Sequence, residues 1–122
     1  MVAIVEETNP DTDKGALYGN LARKALERSE LEKCIELNTK AVSFNKNLTS
    51  AKFNIAFVHL LQEKDQALEE YVTALSELKN DQTPKYTLSV AIQDIRIQRI
   101  KQASLKNIKD IEDLLNSEIK KY

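Results

Sequence analysis

His59 and Cys34 are the two side chains in this sequence able to serve as a neutral base, a thiol nucleophile or a soft metal ligand. A nucleophile relay needs a base beside the attacking group. Here His59 falls inside the apolar run Ala56-Phe57-Val58-His59-Leu60-Leu61, and nothing in the spacing brings Cys34 to it. A structural zinc site needs four Cys or His ligands, and the chain has one of each. His59 with Glu63 at i+4 makes a weak metal pair at best, so a packed histidine is the stronger reading. The carboxylates show no spacing that pairs a general acid with a general base. With 2 Gly in 122 residues there is no glycine-rich phosphate cradle either. No enzyme activity, no metal and no cofactor are expected.

A second group of residues carries charge. The chain has a net charge of −1, but residues 1–78 carry 13 acids against 9 bases and residues 79–122 carry 6 acids against 9 bases. Between Arg96 and Lys109 all the charges, Arg96, Arg99, Lys101, Lys106 and Lys109, are basic, a possible basic patch for an anion or nucleic acid. Nucleic-acid surfaces also interleave aromatic residues that stack on bases, and this stretch has none. A solvated helix face is the stronger reading, and nucleic acid is a disfavoured partner.

The elements that position these residues are helices. The 2 Gly and 2 Pro leave hairpin turns without their usual residues, so the expected class is all-α, in one domain. The acidic residues 1–14, broken by Pro10, read as a loose tail. Tyr18, Leu21, Ala22, Ala25 and Leu26 form one stripe of a first helix. Ser29 and Glu32 make a capping-box pair before a second helix with Leu31, Cys34, Ile35, Ala41, Val42 and Phe44. The third holds Phe53 to Leu61, and the fourth holds Ala67 to Leu78, stopping in Asn80-Asp81-Gln82. Thr83-Pro84 starts a fifth helix with Leu88, Ala91, Ile92, Ile95 and Ile100, since Pro at the first position gives up only an unpaired N–H. Ser104 is placed to cap a sixth, with Leu105, Ile108, Ile111, Leu115 and Ile119 on one face. The lone cysteine, the short apolar start and the absence of any run near the ~20 apolar residues of a membrane span point to a soluble, cytoplasmic chain with no membrane association.

Two of the three resulting helical hairpins resemble each other at an offset of about 34 residues, the period of the tetratricopeptide repeat. Ala22, Cys34 and Ala41 stand where that family requires small residues because paired helices approach closely. Phe53-Asn54-Ile55-Ala56 and Ala67-Leu68-Glu69-Glu70-Tyr71 are similar to its first-helix and second-helix motifs. Lys46 replaces the usual Pro, and neither turn has the usual Gly. In the third hairpin Ala91 and Ala103 keep the spacing, but Asp110 takes the last small position. The resemblance implies a short right-handed α-solenoid (TPR-like) over 15–122, with repeats at about 15–47 and 48–80 and a capping or degenerate hairpin at about 83–122.

For function the resemblance implies a protein–protein interaction module, a scaffold or adaptor that takes a peptide or helix of another protein in a concave groove. Carried over by position, the groove would be apolar with polar anchors and would use Asn20, Arg23, Glu27, Phe53, Asn54, Phe57, Leu61 and Lys85. On the third unit it would also use Leu88, Ser89, Ile92, Ile95 and Arg96. The amides of Asn20 and Asn54 suit a peptide backbone of any sequence, and Phe53 with Phe57 could grip an apolar anchor or be covered by the chain's own ends, Val2 to Val5 or the last helix. The carboxylate clamp of some family members is matched at Asn54 and Lys85 but not at Gly19, Arg23 or Ser89. Self-association into a homo-oligomer is the alternative.

Overall fold

The structure, a computed structural model, describes residues 11–122. Within them six α-helices follow one another: α1 (Asp11–Glu27), α2 (Leu31–Phe44), α3 (Thr49–Leu61), α4 (Ala67–Glu77), α5 (Pro84–Lys101) and α6 (Ile108–Ile119), with a 3-10 turn at Leu78–Asn80. No strand occurs among the described residues, which agrees with the scarcity of Gly. Helix α1 packs on α2, α2 on α3, α3 on α4, and α5 on α6. Contacts between alternate helices link α1 to α3, α3 to α5 and α4 to α6.

The apolar stripes become the core. Tyr18, Ala22 and Ala25 of α1 are buried, as are Cys34 and Ala41 of α2, and with Ala51 and Val58 of α3 they form two small clusters. The main cluster joins α3 to α4, α5 and α6: Phe53, Ala56, Phe57 and Leu60 meet Tyr71, Leu75 and Leu78, then Leu88, Ile92 and Ile95, then Leu105, Ile108, Ile111 and Leu115. A buried Leu, Ile or Phe contributes about 1.5–3 kcal/mol, so this larger cluster dominates stability. Small residues do bring helices together. A Cβ on Gly15 would lie 2.9 Å from Asn45 Cβ and 3.2 Å from the Ala41 carbonyl oxygen, so α1 and α2 meet closely there. Tyr18 stacks on Phe44 at 5.6 Å nearby.

Several boundaries differ from the sequence reading. Residues 11–14, expected as tail, are the first turn of α1; the rest of that tail lies outside the described residues. Ser29 is not a cap for α2. It sits at φ 60 and ends α1: the N–H of Glu30 donates to the Ala25 carbonyl and that of Ser29 to the Leu26 carbonyl, both at 2.9 Å. This is a Schellman motif. Glu63, at φ 56, closes α3 in the same way, through Lys64 to His59 and Glu63 to Leu60. Glu30 is the N-cap of α2, with no side-chain hydrogen bond. Thr83 and Pro84 do open α5, but the Thr83 hydroxyl turns to Asp81 instead of capping the helix. Ser104 does not cap α6, which begins after Asn107 in the left-handed region. In the last pair Ala103 and Asp110 are exposed, and Ile100 is 86% exposed. Lys101 ends α5, so the chain has left the helix before Ala103.

Candidate functional site

A groove of about 780 Å³ crosses α1, α3 and α5. Helix α1 supplies Asp13, Ala16, Gly19, Asn20 and Arg23, and α3 supplies Ser50, Ala51, Phe53 and Asn54. From α5 come Tyr86, Thr87, Val90, Ala91 and Asp94, and the end is closed by Asn45, Asn47 and Leu48 before α3 and by Asn80 to Thr83 before α5. The lining runs from the N-terminal turns of the three helices to Arg23 on α1, Asn54 on α3 and Asp94 on α5. Most of the lining side chains are polar or charged, so amides and carboxylates share the groove with an apolar surface that is still its larger part.

One network spans all three helices. The Arg23 guanidinium donates to both oxygens of Asp94, at 2.8 Å and 2.7 Å, and reaches the side-chain oxygen of Asn54 at 3.4 Å. Asp94 is largely buried and Arg23 about one-third exposed. Two parallel bonds from a planar fork are the strongest form of such a pair, and the hydrogen bond to Asp94 raises the Arg23 pKa further above its ordinary value, against the opposing effect of burial. This contact makes Arg23 a tie between α1 and α5. Asn20 is exposed at the same surface.

Four of the eight predicted groove residues are gathered here: Asn20, Arg23, Phe53 and Asn54. Phe57 is not. It is 8% exposed and belongs to the main core, because the apolar faces of α4 and α5 close over that turn of α3. Phe53 reaches the groove only at its edge, at 3% exposure, and packs against Tyr71. Leu61 packs half-buried on the core, and Glu27 and Lys85 are exposed outside the groove lining. On α5 the register also differs: Leu88, Ile92 and Ile95 turn into the core, Ser89 and Arg96 stay outside the groove lining, and Tyr86, Val90 and Asp94 face the groove. The last helix supplies no lining residue, so it does not cover the groove; Val2 to Val5 lie outside the described residues.

The basic stretch is not a bare patch. Arg99 pairs with Glu112 of α6 and Lys106 with Asp65, Lys109 pairs with Asp113 at 3.0 Å, and Arg96 donates to Asn116 at 3.2 Å. Lys106 lowers the Asp65 pKa by hydrogen bonding and charge. Acids brought in from α6 and the α3–α4 turn intersperse the bases, so the five do not form a single-sign surface.

The chemically reactive groups sit elsewhere. His59 is buried and its Nδ1 lies 2.6 Å from Glu70 Oε1, so its partner is on α4 and not Glu63, which is taken up by the left-handed turn. Cys34 is fully buried beside Asn38, whose amide nitrogen approaches Sγ at 3.3 Å, and burial raises the thiol pKa. Burial, with the charges of Asp94 and Glu70, likewise pushes the Tyr71 pKa well above the ordinary value. Among the described residues no group of three or more His, Cys, Asp and Glu could hold a metal ion, and no helix is long and apolar enough to cross a membrane.

Asp94 and Tyr86 were missed by sequence reasoning. The signal for Asp94 is one acid between Ile92 and Ile95 on a helix whose exposed end is basic. No protein-family model, no curated protein and no solved structure matches the chain.

Proposed function

We propose that this chain is a non-enzymatic protein-interaction module that holds a peptide segment of a partner protein in the groove across α1, α3 and α5. The observation that carries the reading is the groove itself, open and lined by hydrogen-bonding groups from three helices that Arg23 ties together. Side-chain amides both donate and accept, so Asn20 and Asn54 can pair with an extended backbone whatever its side chains. The same reading takes the three helix pairs as stacked hairpins of a short right-handed solenoid similar to tetratricopeptide repeats. Its support is the alternation of contacts, α1 to α3 to α5 on one side and α4 to α6 on the other, and the Schellman turns that recur after α1 and α3.

Enzyme chemistry has little support in the geometry. Cys34 is sealed and its thiol held protonated by burial, whereas a reactive thiol is exposed and has a depressed pKa. The test is binding of the chain to an array of ten-residue peptides. Replacing Asn54→Ala should weaken captured peptides at least fivefold, about 1 kcal/mol for one lost hydrogen bond, with the helical circular dichroism unchanged. Peptides bound equally well by the variant would refute the groove as the binding surface.

A further inference from the structure

We infer that the segment held in the groove is extended and carries Lys or Arg, with the cation received at the end formed by Asp13, Asp81 and Tyr86; this rests on the groove reading of the preceding section. The charge balance of the groove is one-sided. Its lining contains three carboxylates, Asp13, Asp81 and Asp94, against a single cation, Arg23. Arg23 is committed to both oxygens of Asp94, which leaves the carboxylates of Asp13 and Asp81 with no cationic partner among the described residues.

Helix N-termini ordinarily favour anions. At this end Asp13 stands in the first turn of α1 and Asp81 just before α5, so the chain's own carboxylates already occupy that favourable field. An incoming acidic side chain would meet like charge, and an incoming cation would not. Asp81 is held in place: one of its oxygens accepts the Thr83 backbone N–H at 2.7 Å. Tyr86, one turn further on, lines the same end and is 71% exposed, a ring face open to a guanidinium or ammonium group. Carboxylates and an exposed aromatic ring lining one groove suit Arg or Lys and give nothing to Asp or Glu.

The experiment uses the whole chain and positional decapeptide pools, each with one fixed Lys, Arg, Gln, Asp or Glu, read by fluorescence anisotropy at low salt. The Lys and Arg pools should bind about fivefold more tightly than the Asp and Glu pools, as expected when attraction to a partly screened carboxylate replaces repulsion from it, and the preference should shrink as salt rises. The double variant Asp13→Asn with Asp81→Asn should erase the preference while leaving the Gln pools unchanged, since an Asn oxygen still accepts from Thr83. Glu36→Gln, on the exposed face of α2, should leave the preference intact.

Equal binding of all pools, a preference for acidic pools, or a preference that survives the double variant would overturn the inference while the groove reading stands. If no pool binds, or Asn54→Ala leaves every pool unaffected, the groove reading falls and this inference with it. A dimer in sedimentation that Asn54→Ala dissociates would make a second copy the occupant, and would overturn the inference too.

Discussion

The α1–α2 pair buries small residues, Ala22, Cys34 and Ala41, and brings Gly15 against the Ala41 carbonyl. The α5–α6 pair buries Leu88, Ile92, Ile95, Ile108, Ile111 and Leu115, and its helices lie close along less of their length. Helix separation follows the side chains at the contact, so one seam is set by the absence of volume and the other by its presence. The two should therefore fail in opposite directions. Truncation should damage the last pair most and enlargement the first.

The largest effect is expected at Ile111, which is fully buried in the main core. Ile111→Ala should cost about 2–5 kcal/mol in urea unfolding, from lost transfer energy and the cavity left behind. A loss well under 1 kcal/mol would mean that α6 collapses onto α5 and the seam is not held open by volume. The complementary change is Gly15→Leu. Its Cβ has no room beside Asn45 Cβ and the Ala41 carbonyl oxygen, and neither is the free end of a flexible side chain. Overpacking of this kind costs about 1–3 kcal/mol, against a gain of about 1 kcal/mol in helix propensity. A net stabilisation of Gly15→Leu would show that α1 and α2 can separate freely and would break the contrast.

The same contrast explains what could be read in the sequence. Six helices follow from periodicity, and Ala22, Cys34 and Ala41, the small residues singled out for close helix approach, are all buried. Both signals are local or repeat at short range. Rules for small residues could not find the seam of the last pair, where Ala103 and Asp110 hold the matching spacing yet are exposed. The groove was half legible. Asn20, Arg23 and Asn54 fall on the right faces because each helix keeps its own register. Arg23's partner Asp94 is 71 residues away, and no local rule selects one carboxylate at that distance. His59 shows the same limit, since Glu63 at i+4 is the obvious partner on paper and Glu70 on the neighbouring helix is the actual one. Charges pair through tertiary packing, and so the partners of the basic run from Arg96 to Lys109, the acids of α6 and of the α3–α4 turn, are not visible in the run itself.

The smallest expected effect lies in the turns, where the first two pairs again differ from the last. Ser29 and Glu63 are the left-handed residues that end α1 and α3, while Asn107 is left-handed at the start of α6. A left-handed L-residue costs about 1–2 kcal/mol, and Gly removes that cost but loses about 0.5–1 kcal/mol more conformational freedom on folding. Ser29→Gly and Glu63→Gly should each stabilise by about 0.5–1 kcal/mol, a rise of roughly 2–5 °C in Tm. Asn tolerates the left-handed region because its short side chain bonds locally, so Asn107→Gly should change Tm by less than either. The order of the three shifts is the sharper readout. If Asn107→Gly gave the largest gain, the strain of this fold would reside in the last pair, and the Schellman turns of the first two would be cheap for any residue.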